Sequence, residues 1–205
     1  AEAMLFNSGA IDRFGKVEDG TTTTDYDQEG IKRQISISAA LAPLEWNNHK
    51  INVIDIPGYF DFVGELVGGL RVADCACIVV GAVSGVAVGT EKAWDYCDEY
   101  ELPRFICVNQ IDRENANFNK VLDSLKDLYG TSIAPFQVPI MESDQFVGYV
   151  DVISMKAYRY DGKDVKEIDV PADMVDLIEP IRTMLIEAVA ETSEELMEKY
   201  FEGEE

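Results

Sequence analysis

The chain has 205 residues, 47% of them hydrophobic, which suits one domain, or one domain with an insertion, built on a sizeable core. Lys plus Arg number 17 and Asp plus Glu 39, for a net charge of −22. A surface this acidic repels nucleic-acid phosphate and anionic lipid, so no direct nucleic-acid binding is expected from the chain itself. No apolar run reaches the length of about 18 residues that a membrane helix needs, and no membrane association is expected. The cysteines Cys75, Cys77, Cys97 and Cys107 form no Cys-x-x-Cys pair and lie in or beside apolar stretches. They are expected to be buried, reduced thiols of a cytoplasmic protein rather than metal ligands. The single His49 sits in the polar run Asn47-Asn48-His49-Lys50, which speaks against a catalytic triad or a histidine-rich metal centre.

Residues 1–8 have a helical pattern without an initiator Met or a cap, as though the helix began earlier, and Gly9 is a plausible stop. Residues 10–32 are polar and rich in Gly, Thr and Asp, which predicts a long loop able to order on ligand binding. Ile35 to Leu41 alternates with period two and predicts a half-buried strand running on to Trp46. A turn at Asn47-Asn48 and a return along Lys50 to Asp55 predict an antiparallel hairpin. Phe62, Val63, Leu66, Val67 and Leu70 keep helical spacing. Residues 75–83 are continuously apolar, as in a parallel strand buried on both faces. A helix over 90–100, a strand at Arg104–Val108 ending in Asn109-Gln110-Ile111-Asp112, and a helix with Phe118, Val121, Leu122, Leu125 and Leu128 inward complete a doubly wound α/β pattern.

After Gly130 the character changes. Residues 136–140, 148–153 and 155–160 look like short strands separated by turns, the last two able to form a meander. Pro171 suits a helix start, and that helix is expected to run to about Glu191 with a kink at Pro180. Thr192-Ser193 can cap a last helix whose Glu-rich end is a solvated face. The expected division is residues 1–137 as an α/β core and 138–205 as a small α+β insertion.

Two strand ends on one sheet edge carry polar residues: Asp55 with Gly58, and Asn109 with Asp112. Ligands of open α/β sheets bind at the carboxyl ends of the strands. Taken alone, Asp55-Ile56-Pro57-Gly58-Tyr59 is explained by turn chemistry. Together the two ends suit a guanine nucleotide. One carboxylate can accept from guanine N1–H and N2–H2 at once, which adenine cannot satisfy, and Asn109 can bridge the base to neighbouring loops. Asp55 can hold Mg²⁺ through water, Gly58 N–H can meet a terminal phosphate, and the Ser36 hydroxyl can reach the same metal.

The collinear set Gly20-Thr21-Thr22-Thr23-Thr24-Asp25, Arg33-Gln34-Ile35-Ser36-Ile37, Asp55-Ile56-Pro57-Gly58-Tyr59-Phe60-Asp61-Phe62 and Asn109-Gln110-Ile111-Asp112-Arg113 resembles the G domain of translation elongation factor G. The likeness continues through Leu70–Asp74, Gly85-Val86, Val138-Pro139-Ile140 and Lys199–Glu205 and so spans nearly the whole chain. It implies a P-loop GTPase-type doubly wound, mostly parallel sheet with an antiparallel hairpin, GTP/GDP and Mg²⁺ as ligands, GTP hydrolysis during elongation, and the ribosome as partner of the full-length protein. By the resemblance Ser36 meets Mg²⁺ and γ-phosphate, Asp55 and Gly58 belong to the second switch, and Asn109, Gln110 and Asp112 surround the guanine.

Three positions depart from the family's commonest residues. Ile56 replaces a Thr, Gln110 replaces the Lys whose stem covers the base, and Tyr59 stands where a His positions the attacking water. A phenol hydrogen-bonds water but is a poor base near neutral pH. These departures admit an elongation-factor-G-like or ribosomal-protection-type paralogue. A nucleotide-independent module that keeps the fold as an interaction surface is a third reading. No Gly-x-x-x-x-Gly-Lys-Ser/Thr occurs in the 205 residues. Without that cradle of backbone N–H groups and its Lys, the fragment is expected to bind GTP weakly and to be inactive by itself.

Overall fold

The computed structural model describes residues 1–143, 145–162 and 164–203. The chain divides into two compact units, one of Ala1–Val79 with Ala87–Cys107 and the other of Val80–Val86 with Val108–Glu205.

The first unit begins with α1 (Glu2–Asn7), which buries Leu5 and ends before Gly9 at φ 74°. The polar stretch after it is not loop throughout. It contains a helix, α2 (Gln28–Arg33), capped by Asp27, whose side chain accepts from the Glu29 and Gly30 N–H groups. Gln34 closes α2 in the left-handed conformation at φ 58°, and Ile35 N–H returns to the Gly30 carbonyl at 3.1 Å. Gly30 is required there, because a Cβ would lie 2.8 Å from the Ile35 carbonyl oxygen.

This cap also corrects the predicted strand at 35–41. The strand β1 spans Ala40–Trp46, and residues 35–39 are loop with bends at Ile35 and Ser38. The period-two alternation there has another cause. Ile35 and Ile37 are half-buried near α2, while Ser36 bonds to Asp25 and Ala39 N–H to Glu65. Of these only the Ala39 N–H is a group that a sheet ladder would use, and the Glu65 carboxylate takes it.

β1 pairs antiparallel with β2 (His49–Asp55), in register from Ala40↔Asp55 to Trp46↔His49. Asn47 and Asn48 both have positive φ, 48° and 62°, the two-residue turn that matches strand twist. Leu5, Ala42 and Leu44, with Ile11 and Val53 against them, form this unit's core. A short 3₁₀ turn at Phe60–Phe62 leads into α3 (Val63–Leu70). Gly69 lets this helix lie on β2, since a Cβ there would strike the Ile56 side chain.

β3 (Ala76–Gly81), α4 (Val88–Glu99) and β4 (Arg104–Asn109) follow, and β3 and β4 pair. Ala76 N–H donates to Pro103 O at 2.9 Å and Ala82 N–H to Asn109 O at 2.8 Å. The constant offset is that of a parallel pair. One face of β3 is open, contrary to the expectation from its apolar run. Ile78 and Val80 are buried, but Cys77 and Val79 are exposed, as are Phe105 and Cys107 on the same face of β4. The expected burial of the cysteines therefore holds for Cys97 alone. Cys75, Cys77 and Cys107 are free and exposed.

The second unit carries α5 (Phe118–Tyr129), capped by Asn117, whose side chain accepts from Lys120 N–H at 2.9 Å. An antiparallel sheet follows, in the order β5 (Gln137–Glu142), β6 (Gln145–Asp151), β7 (Lys156–Tyr160) and β8 (Val165–Ile168). The predicted meander is present with β8 added to its edge. Helix α6 (Ala172–Ala190) runs through Pro180, and Ser193 caps α7 (Glu194–Glu202) by accepting from Leu196 N–H. Pro171 sits at the N-cap, one place before the helix. Ile178 of α6 packs into Val138, Ile140, Val150, Val152 and Ala157 of the sheet, with Phe118 at the margin. This fold is the α/β architecture with parallel and antiparallel strands that the sequence predicts. Among the described residues no helix is long and apolar enough to cross a membrane.

Candidate functional site

The predicted site residues fall into two groups, one in each unit. In the first unit, Asp55 ends β2 opposite Ala40 and is half-buried. Pro57 after it is buried, while Gly58 and Tyr59 are exposed. A Cβ on Gly58 would meet nothing within 4 Å, so packing does not demand glycine here. What glycine leaves is an open backbone N–H that a ligand can approach closely. Tyr59 initiates the 3₁₀ turn with extended backbone and is 57% exposed, so its phenol stands in solvent.

Ser36 lies on the stretch between α2 and β1. Its hydroxyl donates to Asp25 Oδ1 at 2.6 Å, and the other Asp25 oxygen accepts from Thr22 Oγ1 at 2.7 Å. Tyr26 Oη donates to Ala39 O at 3.1 Å, and Glu65 of α3 accepts from Ala39 N–H at 2.7 Å. A small cavity beneath this loop is lined by Asp25, Tyr26, Ser36 and Ser38 among others. Asp25 is the residue that sequence reasoning overlooked. The signal was a Thr-x-x-Asp pattern closing the threonine run, but its second partner lies 11 residues on and has no local signature.

In the second unit, Asn109 ends β4. Its carbonyl accepts from Ala82 N–H, and its side chain is exposed. Gln110 turns the chain in the left-handed conformation at φ 59°. Arg113 N–H donates to Gln110 O at 3.1 Å, which closes a turn presenting the exposed Asp112 carboxylate. Gly81 leaves room for the Ser84 side chain, since a Cβ there would lie 2.6 Å from Ser84 Oγ. Asn117 N–H donates to Ala82 O at 3.0 Å and anchors the far end of the loop. The arrangement leaves two polar side chains, Asn109 and Asp112, free to meet a planar ligand carrying hydrogen-bond donors.

The electrostatic anomaly of the first unit is a thiol pair. A hydrogen bond from Cys77 draws the Cys107 thiol down to about 6, and the same bond with partial burial pushes the Cys77 thiol well up. The thiolate is the nucleophile and is populated above the pKa. Iodoacetamide should therefore label Cys107 before Cys75 or Cys77, with a rate that rises through pH 6 and levels off above pH 7. Cys77→Ala, which removes the donor, should move that rise toward the ordinary thiol range of about 8.5. Site-resolved mass spectrometry checks both.

The chain matches the Elongation factor Tu GTP binding domain over residues 1–202. It belongs to this family, the GTP-binding domain of translational GTPases. A crystal structure of a protein from Thermus thermophilus is similar at a TM-score of 0.93 and 41% sequence identity. The match covers 100% of this chain and 31% of that one, so the chain spans about a third of the length of that relative.

Proposed function

We propose that the chain is the G-domain portion of a ribosome-associated GTPase like elongation factor G, acting in elongation or translocation. The single observation that carries this reading is the family match over residues 1–202, with a half-buried Asp55 at the end of β2 and exposed Asn109 and Asp112 at the end of β4. On this reading residues 1–137 are the GTPase core and 138–205 the insertion subdomain of the G domain.

Asp112 is assigned as acceptor for guanine N1–H and N2–H2, with Asn109 beside it and the Gln110 stem against the base. Ser36 and Asp55 supply oxygen donors, the ligand class that Mg²⁺ takes, and the donor set fits that ion. Bound Mg²⁺ would neutralise charge on the transferring phosphate. Asp55 would orient it through water, and the open Gly58 N–H would receive a terminal phosphate oxygen. The Ser36 hydroxyl, which donates to Asp25 at 2.6 Å, has to exchange that acceptor before it can serve the metal. Residues 16–38 are then the segment that GTP orders and hydrolysis releases.

Tyr59 and Gln110 favour a second reading, an elongation-factor-G-like paralogue without full translocase activity. A phenol can hold the attacking water but is ineffective as its base at neutral pH. The test is GTP hydrolysis by the longer protein with and without ribosomes, followed by a translocation assay. Ribosome-stimulated hydrolysis with translocation supports the first reading, and stimulated hydrolysis without translocation supports the second. No hydrolysis in either condition overturns both.

A further inference from the structure

We propose that Glu2 is a positioning residue: its carboxylate clasps the loop at Gly15 and Thr23 and, through Asp25, fixes where Ser36 stands. The inference rests on the reading of Ser36 as the hydroxyl that meets the metal.

One Glu2 side chain takes three donors from distant sequence. Oε1 accepts from Gly15 N–H at 2.9 Å and from Thr23 Oγ1 at 3.3 Å, and Oε2 accepts from Thr23 N–H at 2.8 Å. Bonds to a carboxylate are stronger than neutral ones. The loop is drawn closed between these points. Thr21 N–H donates to Lys16 O at 3.1 Å, and Lys16 N–H donates to Thr21 Oγ1 at 3.0 Å. Gly15 is demanded by the clasp, because a Cβ there would collide with the Thr21 carbonyl and with Glu2 Oε1.

The clasp is continuous with the candidate site. Thr23 adjoins Thr22, whose hydroxyl binds Asp25, and Asp25 binds Ser36. A second tie lies beside it. Phe6 and Phe14 meet edge to face at 5.7 Å, so α1 holds the loop by both a charged and an aromatic contact. Residues 12–27 carry no regular secondary structure, so the segment is positioned by point contacts: the Glu2 clasp on its N-terminal side, and buried Thr24, the Tyr26–Ala39 bond and the Asp27 cap around Asp25. A shift of α1 is therefore passed to Ser36 through Glu2, Thr23 and Asp25.

The test is amide exchange and amide chemical shifts measured by NMR on the 205-residue chain, without nucleotide. Glu2→Ala should speed exchange at the Gly15 and Thr23 amides roughly tenfold, the loss expected for a bond to a charged acceptor. It should also move the Asp25 and Ser36 resonances, with the hairpin amides of residues 41–55 unchanged. Glu2→Gln keeps an acceptor oxygen and should restore part of the protection, which keeps the test usable if the alanine variant is poorly folded. Gly15→Ala should reproduce the Ser36 shift from the other side of the clasp.

Changes confined to residues 13–23, with Ser36 unmoved, would overturn the proposal and leave Glu2 as a local staple. A Ser36 shift in a protein whose nucleotide-binding form later fails to bind Mg²⁺ and GTP would keep the clasp and overturn the functional reading instead.

Discussion

Asp112→Ala is expected to weaken guanine-nucleotide binding by roughly a hundredfold in a form of this chain extended by a phosphate loop, while the fold is kept. The carboxylate is exposed at the tip of a turn closed by backbone bonds from Arg113 and Asn117, so its removal leaves no cavity and no buried group unpaired. Under the proposed function, what it removes is a two-donor, charge-assisted recognition of the guanine edge. Two such bonds at about 1.5 kcal/mol each correspond to about two powers of ten in affinity. Loss should be specific to guanine. Adenine presents an acceptor at N1 and no amine at C2, so whatever affinity the chain has for ADP should not change. Equilibrium titration with fluorescent GDP and ADP analogues measures both. A loss below about threefold for GDP would remove Asp112 from the base-reading role.

The second large effect concerns stability rather than binding. Ile178 is fully buried and packs α6 against Val138, Ile140, Val150, Val152 and Ala157. Ile178→Ala removes three carbons from a site where sheet and helix meet, and a rigid sheet cannot collapse into the gap. The expected cost is about 2–5 kcal/mol of unfolding free energy, the usual range for a truncated buried isoleucine. Leu177 next to it is 49% exposed, and Leu177→Ala should cost about 0.5 kcal/mol or less, as surface changes do. Urea denaturation of the two variants provides the contrast. Equal losses at 177 and 178 would mean that α6 presents a different face to the sheet.

The two elements that present the site residues were legible because their signals are local. The Asn47-Asn48 turn fixes the hairpin, and with it the place of Asp55, by backbone chemistry that those residues adopt readily. Asn109 and Asp112 follow an apolar strand at the spacing of a tight turn, and the turn is present. The misreadings have tertiary or compositional causes. In α2, Gln28-Glu29-Gly30-Ile31-Lys32-Arg33 offers one apolar side chain and an internal Gly, so no helical period exists to find. Its signals were the Asp27 cap and the Arg33–Glu29 pair at 2.6 Å. The alternation Ile35-Ser36-Ile37-Ser38 imitates a strand, but all four residues are half-buried in a loop, and the Ser36 hydroxyl bonds to Asp25. β8 escaped notice because Val165-Lys166-Glu167-Ile168 is short and carries its charges in pairs with neighbours, Lys156–Glu167 at 2.8 Å and Lys166–Asp161 at 2.5 Å. The link from Ser36 through Asp25 to Glu2 joins distant parts of the chain and leaves no period at all, so only coordinates reveal it.

These links bear on how the site works. Ser36 has an acceptor in Asp25, so under the proposed function Ser36 has to give up that bond before it can serve a ligand. Tyr59 is held through its backbone, its carbonyl accepting from Phe62 N–H at 3.0 Å after the buried Pro57, while its side chain is exposed.

Isothermal titration with GTP and Mg²⁺ tests the account most directly, applied to the 205-residue chain and to the same chain preceded by a strand and a Gly-x-x-x-x-Gly-Lys-Thr loop. The account predicts weak or no binding by the first, tight Mg²⁺-dependent binding by the second, and loss of that binding in Asp112→Ala. Tight Mg²⁺-dependent binding by the 205-residue chain alone, or none by the extended form, would contradict it.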